Sequence, residues 1–315
     1  MSHLVIPTAA PASAPPPAAS PRRRRLGGRR ALGLAYASPT AAVVAVFFVA
    51  PLLLVAWMSL NRWPLLGPPT FNAPDNYASI ADNTLVVDAI WFTLKYTLVV
   101  TVILFAVSFG LALLVQNKRP GVGFLRTAFF LPGVVGFATA SLLFLGMLSN
   151  EIGPINPLLT KLGIVEQPIS WVSGSANTAL ASTVALVTWR FAGFNMLILL
   201  TGLQSIPGEV YEAARIDGAN AWQTFTRVTL PLMRQTISLV LIMMITGSLL
   251  AFDQFYVMTR GGPDNSTTSV VMVIVREAFT RFDLGAAAAL SVAMLVLLVV
   301  LNSIQLAFLR RRSTR

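Results

Sequence analysis

The chain has 315 residues, 55% of them hydrophobic and only 11% charged, with a mean hydropathy of +0.72. A water-soluble chain carries about a quarter charged residues, so this composition excludes an ordinary soluble domain and assigns most of the chain to lipid. Cysteine is absent and the single His3 lies in the N-terminal tail, which rules out disulfides and thiol chemistry and leaves little basis for a metal centre. The net charge of +11 sits mainly beside hydrophobic runs, a pattern of membrane topology and not of nucleic-acid binding.

Residues 1–21 are rich in Ala, Pro and Ser, lack apolar periodicity and are expected to be disordered. Arg22, Arg23, Arg24 and Arg25, with Arg29 and Arg30, form a basic cluster that favours a cytoplasmic N-terminus and attraction to anionic headgroups. The apolar run that follows is too long for the core of a signal peptide, and no clear small-residue cleavage site precedes it. Residues 1–30 therefore read as a basic-flanked tail and 31–315 as one membrane domain.

A helical span needs about 20 apolar residues. Six candidates follow in order: about 38–60, 91–115, 127–148, 179–203, 236–257 and 285–308. Backbone groups cannot stay unpaired in lipid, so these are expected to be α-helices, kinked where Pro51 and Pro132 each remove a donor. Trp91 and Lys95 suit the interface at the start of the second span. With the N-terminus inside, sixteen basic residues fall on cytoplasmic segments, six on outer segments and their edges, and Arg190 within a span. This asymmetry places both termini in the cytoplasm. The outer stretches 61–90 and 149–178 are turn-rich and too short to form separate domains.

Between the fourth and fifth spans lie about thirty residues of different character, Gln204–Gln235. Pro207 suits the first turn of a helix. Ile206, Val210, Ala213 and Ala214 are spaced to share a face, and Glu209 and Glu212 sit where a helix N-terminus favours negative charge. Gly218 permits a break, after which a second short helix through Trp222, Phe225 and Val228 leads to Leu230-Pro231.

Glu212-Ala213-Ala214, Asp217-Gly218-Ala219 and Leu230-Pro231, preceded by Leu203-Gln204-Ser205-Ile206-Pro207, resemble the EAA loop of carbohydrate-type ATP-binding-cassette importer permeases. A second stretch agrees: Phe252 to Thr259, Gly261-Gly262-Pro263, Asn265-Ser266-Thr267, Ala278-Phe279 and Gly285 to Ala288 are similar to the fifth span, outer loop and sixth span of that family. The resemblance implies an all-α polytopic membrane protein: six transmembrane helices with a cytoplasmic coupling helix between spans 4 and 5. It implies that Glu209, Glu212, Ala213, Ala214, Asp217, Gly218 and Ala219 couple the chain to an ATPase. It further implies four kinds of partner: a second permease subunit, two ATP-binding-cassette ATPase subunits, an extracytoplasmic solute-binding protein and membrane lipid. The plain alternative for the polar segment is a helix lying on lipid; that would favour Lys and Arg on its polar face, whereas this one mixes Glu209, Glu212, Arg215 and Asp217.

No Gly-x-x-x-x-Gly-Lys-Ser/Thr phosphate loop occurs, so the chain has no usual route to bind nucleotide, and no cofactor or metal is expected. For the cargo path the candidates are Arg190 and Asp253, the charges within or at the edge of spans, with Asn195, Gln254 and Tyr256. For Arg190 a structural ion pair or an interfacial position competes with cargo contact, and for Asp253 a gate does. Import of a sugar, oligosaccharide or glycerol-phosphate-type solute is the leading function. An ion-coupled secondary carrier would need internal repeats and coupling carboxylates at the midplane, and only Asp253 is near a suitable place. A membrane enzyme would need clustered acid–base residues in the spans, and none are paired there.

Overall fold

The computed structural model describes residues 26–64, 66–117 and 119–313; the tail expected to be disordered, and Arg22–Arg25, lie outside the described residues. The described residues form two compact units, which divide between Leu52 and Leu53. The first contains α1 (Leu26–Val44), a π-turn over Ala45–Val49 and the start of α2 (Ala50–Met58). The π-turn closes with Ala50 N–H donating to the Ala45 carbonyl, one residue before Pro51. A widened turn gives the proline ring room against the preceding carbonyls, so Pro51 is absorbed as a π-turn and not as a sharp kink.

After the remainder of α2, the second unit forms a two-stranded antiparallel ribbon, β1 (Asn61–Arg62) and β2 (Thr70–Phe71), which pairs Asn61 with Phe71 and Arg62 with Thr70. Then come α3 (Ala73–Asp82) and α4 (Thr84–Leu114), the latter beginning seven residues before the expected second span and running 31 residues. Asn83 starts it by accepting from Leu85 N–H through its side chain. At its far end the Val115 carbonyl accepts from Arg126 Nη2 at 2.7 Å, a cation where a helix C-terminus favours one.

The expected third span is not one helix. It is α5 (Val122–Phe130), a 3-10 turn at Leu131–Val134, and α6 (Phe137–Met147), with a bend of 96° between the halves. Pro132 removes a donor and Gly133 and Gly136 relax the backbone, so the chain turns where a straight helix would lose bonds. The stretch 149–178 holds a short helix, α7 (Ile155–Lys161), then α8 (Ala176–Gln204) starts at a capping box between Ser175 and Thr178. Next are α9 (Gly208–Ile216), α10 (Ala221–Thr224), a π-turn at Phe225–Thr229, α11 (Leu230–Leu232) and α12 (Arg234–Leu249).

The expected fifth span, 236–257, is broken. α12 ends at Leu249, residues 250–252 are non-helical, and a π-turn follows at Phe255–Thr259. The carbonyl of Ala251 freed by the break accepts from Ser269 Oγ at 2.6 Å, so the interruption is satisfied internally. The following segment is not merely a loop: Ser269 also caps α13 (Val270–Phe279), whose first N–H donates to Thr93 Oγ1 of α4. The last element is α14 (Leu284–Ser313).

Among the described residues, four helical stretches are long and apolar enough to cross a membrane: Ala35–Met58, Thr84–Leu114, Ala176–Gln204 and Leu284–Ala307. The number is six if each of the bent pairs, Val122–Val134 with Phe137–Met147 and Ala221–Leu232 with Arg234–Leu249, is one span. The main core packs Tyr96, Val100 and Leu104 of α4 against Val187, Met196 and Leu199 of α8 and Val240 and Met244 of α12. A smaller cluster joins Val86 and Ala89 to Leu249, Val273, Leu290 and Met294. Gly193 sets the approach of α8 to α5: a Cβ there would stand 1.9 Å from the Phe129 carbonyl oxygen.

Candidate functional site

A cavity of about 160 Å³ opens inside the bundle between α4, α8 and α12. Its walls are largely apolar, with Phe137, Phe191 and Phe194 on one side and Met243 and Met244 on another. Into it project Tyr96, Thr101, Asn195, Ser248 and Gln254. Gln254 is 1% exposed. Its Nε2 donates to Tyr96 Oη at 3.0 Å, and its Oε1 has no partner. Thr101 Oγ1 is also buried without a partner. Asn195 spends one amide donor on the Phe191 carbonyl at 3.0 Å, and Ser248 donates to the Ile245 carbonyl at 2.9 Å. An unmade buried hydrogen bond costs about 1–3 kcal/mol, so each of these unpartnered groups is a cost to the fold beside the cavity. Aromatic walls with a few convergent polar groups suit a ring carrying hydroxyls.

Of the five residues the sequence nominates for the cargo path, the structure brings Asn195 and Gln254 to this cavity. Arg190 is elsewhere: its Nε donates to the Val135 carbonyl at 3.0 Å, and its guanidinium lies 4.8 Å from the centre of Phe137 and 4.5 Å from that of Phe191. It therefore ties the α5–α6 bend to α8 and stiffens the aromatic wall behind the cavity. Asp253 and Tyr256 are exposed and do not line the cavity. The break after Leu249 explains the split, because the short turn that follows points Gln254 and Phe255 inward and Asp253 and Tyr256 outward. Tyr96 and Thr101 are cavity residues that sequence reasoning missed. The signal was present as a stripe of hydroxyls, Thr93, Thr97, Thr101 and Ser108, at helical spacing in an otherwise apolar span.

A second site is built on α9 and α10. Pro207 is the N-cap of α9, one position earlier than the first-turn place expected for it. Val210, Tyr211 and Ala214 turn inward, the first two packing on the main core and Ala214 being 7% exposed. Glu209, Glu212, Ala213 and Asp217 are exposed on the opposite side. Ala213 thus departs from the buried face on which its spacing put it with Ala214. Ala219 N–H donates to the Ala214 carbonyl at 2.9 Å and Gly218 N–H to the Arg215 carbonyl at 3.1 Å, the paired bonds of a Schellman stop. Gly218 holds φ +75° at its centre, with open space where a Cβ would go. Asn220 and Gln223 then cap α10 reciprocally, at 2.9 and 2.8 Å. Phe225 anchors the segment by meeting Phe109 of α4 edge to face at 5.7 Å. The sequence reading missed the apolar part of the exposed face: Ile216 is 86% and Trp222 71% exposed. Two large apolar side chains among carboxylates on a rigid, self-capped segment are a surface suited to protein contact.

A chain with an apolar interior cavity carrying a few polar groups, interrupted membrane helices and an exposed capped handle is a transport subunit, and no group of three or more metal-ligating side chains exists among the described residues. Residues 18–314 match the family described as the binding-protein-dependent transport system inner membrane component, and the chain belongs to that family. It is 33% identical over 265 residues to the multiple sugar-binding transport system permease protein MsmF of Streptococcus mutans, covering 83% of this chain and 89% of the relative. It is 31% identical over 287 residues to the sulfoquinovosyl glycerol transport system permease protein SmoG of Agrobacterium fabrum, covering 90% and 92%. Its fold matches a chain in the crystal structure of a bacterial alginate ABC transporter in complex with alginate pentasaccharide-bound periplasmic protein. That match has a TM-score of 0.80 at 21% identity and covers 91% of this chain and 98% of the other.

Proposed function

We propose that this chain is a permease subunit of an ATP-driven importer and carries a sugar, oligosaccharide or glycerol-phosphate-type solute through the cavity between α4, α8 and α12. Residues 31–315 form its six-span domain, both termini are cytoplasmic, and the α9–α10 segment faces the cytoplasm as the coupling element. Glu209, Glu212, Ala213, Asp217 and Gly218, joined by Ile216 and Trp222, contact an ATP-binding-cassette ATPase subunit. Ala214 and Ala219 support that face from beneath. A second permease subunit completes the path, two ATPases drive it, and an extracytoplasmic solute-binding protein delivers the cargo. The relatives named above for sugars and a sulfosugar glycerol support the solute class, and the family's dependence on binding proteins supports the receptor.

The observation that carries this reading is the α9–α10 segment, which satisfies its own helix ends, anchors Phe225 on Phe109 and leaves a mixed apolar and acidic face uncovered. Closed helix ends and an anchored ring suit such a segment to transmitting force. The test is purification of the chain with its genomic neighbours and assay in proteoliposomes against a panel of labelled di- and oligosaccharides. Uptake is expected only with ATP and a co-purifying ATPase. Uptake by this chain alone, driven by an ion gradient, would replace the importer with a carrier.

A further inference from the structure

A second concavity, of about 870 Å³, lies between α6 and α13 and is half polar. The π-turn that follows the break in α12 forms its third side, so Gln254 borders the interior cavity while Tyr256, two residues on, borders this outer cleft. Arg260 and Arg276 both line it, together with Asn265, Thr268 and Tyr256, and no Asp or Glu does. Arg276 reaches Asn265 Oδ1 at a loose 3.4 Å. The one ion pair among the described residues is Arg281 with Glu277 at 2.8 Å, which engages the single carboxylate of α13. Asp264 is exposed and is not a lining residue.

The position of these arginines is built. Arg260 holds φ +50°, a backbone region where glycine or asparagine is the easier occupant, and its N–H closes the π-turn onto the Phe255 carbonyl at 2.7 Å. The loop beneath is locked by Thr267 Oγ1, which bonds Thr259 Oγ1 at 2.7 Å and the Gly262 carbonyl at 2.6 Å. The sequence places only six basic residues on outer segments and their edges, and two of them converge here. Arginines without a carboxylate, in a cleft also furnished with an amide, a hydroxyl and an exposed aromatic face, present the groups that bind an oxyanion attached to a hydroxylated ring.

We propose that this cleft is an outer station for cargo that carries a carboxylate, phosphate or sulfonate, and that the importer's solute class is an anionic saccharide or polyol. The proposal rests on the importer reading and narrows its cargo. Arg260 and Arg276 hold the anion while Tyr256 lies along the ring, and the neutral hydroxylated part leads into the cavity at Gln254.

The test uses the assembled permease–ATPase complex in nanodiscs, without the solute-binding protein, titrated calorimetrically with glucuronate and with glucose at matched ionic strength. A lost charge-assisted contact is worth roughly tenfold in affinity or more, so glucuronate is expected to bind about tenfold tighter than glucose. The R260Q/R276Q double variant is expected to lose that preference, R260K/R276K to keep most of it, and R62Q, which changes an outer arginine away from the cleft, to leave it intact. Equal binding of the two probes by the native complex would overturn the proposal, as would a preference that survives in R260Q/R276Q. So would loss of docking in a separate pull-down of the double variant with the solute-binding protein while the preference is unchanged, which would assign the arginines to an acidic protein surface. None of these substitutions touches α9 or α10. Absence of a co-purifying ATPase from the native preparation would instead remove the importer reading itself.

Discussion

The interior cavity and the α9–α10 segment treat their polar groups in opposite ways. In the cavity, Gln254 Oε1 and Thr101 Oγ1 are buried and left without partners. Along α9 and α10 the helix ends are closed by a Schellman stop and a reciprocal Asn220–Gln223 cap, although the segment is exposed and water could satisfy them. Under the proposed function, a site that binds and releases a solute would keep bonding capacity open, whereas a site that transmits force would close it and offer only side chains outward. The contrast separates binding from coupling within one chain, and substitutions should separate them too.

The largest effect is expected where the scaffold of the cavity is packed tightest. Gly193→Ala drives a Cβ into the Phe129 carbonyl and should cost about 3 kcal/mol or more, lowering the yield of assembled complex together with its thermal midpoint. A variant with native stability would show that α8 and α5 are not held as closely as described. Next, Trp222→Ala and Glu212→Lys should each weaken ATPase attachment by about 2 kcal/mol, roughly thirtyfold, while leaving cargo binding to the detergent-solubilised chain unchanged. Pull-down of the ATPase at native strength would break the comparison from the coupling side.

Gln254→Leu reverses the pattern. It removes the open acceptor and strands Tyr96 Oη, and should weaken cargo affinity by about 1–3 kcal/mol with ATPase attachment intact. Binding isotherms that match the native chain would remove Gln254 from the cargo site. Arg190→Ala is expected to act through the bend, lowering stability by roughly 1–2 kcal/mol through the lost Val135 bond and aromatic stacking; a loss of affinity with no loss of stability would return Arg190 to direct cargo contact. Smallest is Gly218→Ala, about 1 kcal/mol, because the space is open and only the left-handed backbone resists; a thermal scan is enough to see it.

Much of this was readable from residue order. The helical segments at α4, α8 and α14 followed from apolar length alone, and the polar interlude with its break at Gly218 followed from helical spacing and one glycine. Hydropathy failed where a segment is apolar but not continuous. Leu131–Gly136 and Leu250–Phe252 are as greasy as their flanks, and what interrupts them is bonding to distant groups, such as Ser269 Oγ on the Ala251 carbonyl. Pro132 marked the first interruption, whereas only tertiary contact marks the second. α13 escaped notice although its N-cap Ser269 stands directly before it in the sequence; only the bond from Val270 N–H to Thr93 is supplied by the fold. Within the cargo group, spacing could not distinguish the inward Gln254 from the outward Asp253 and Tyr256 on a turn whose direction is set by the break before it.

Ser269 makes two bonds with one hydroxyl, giving its hydrogen to Ala251 and accepting from the Met272 N–H that opens α13. The stub of the interrupted helix and α13 are therefore yoked at a single oxygen. If α13 rocks, the Ala251 carbonyl must travel with it or be abandoned in an apolar setting. A load arriving on α13 is thus linked through Ser269 to the residues three positions from Ala251 that border the interior cavity.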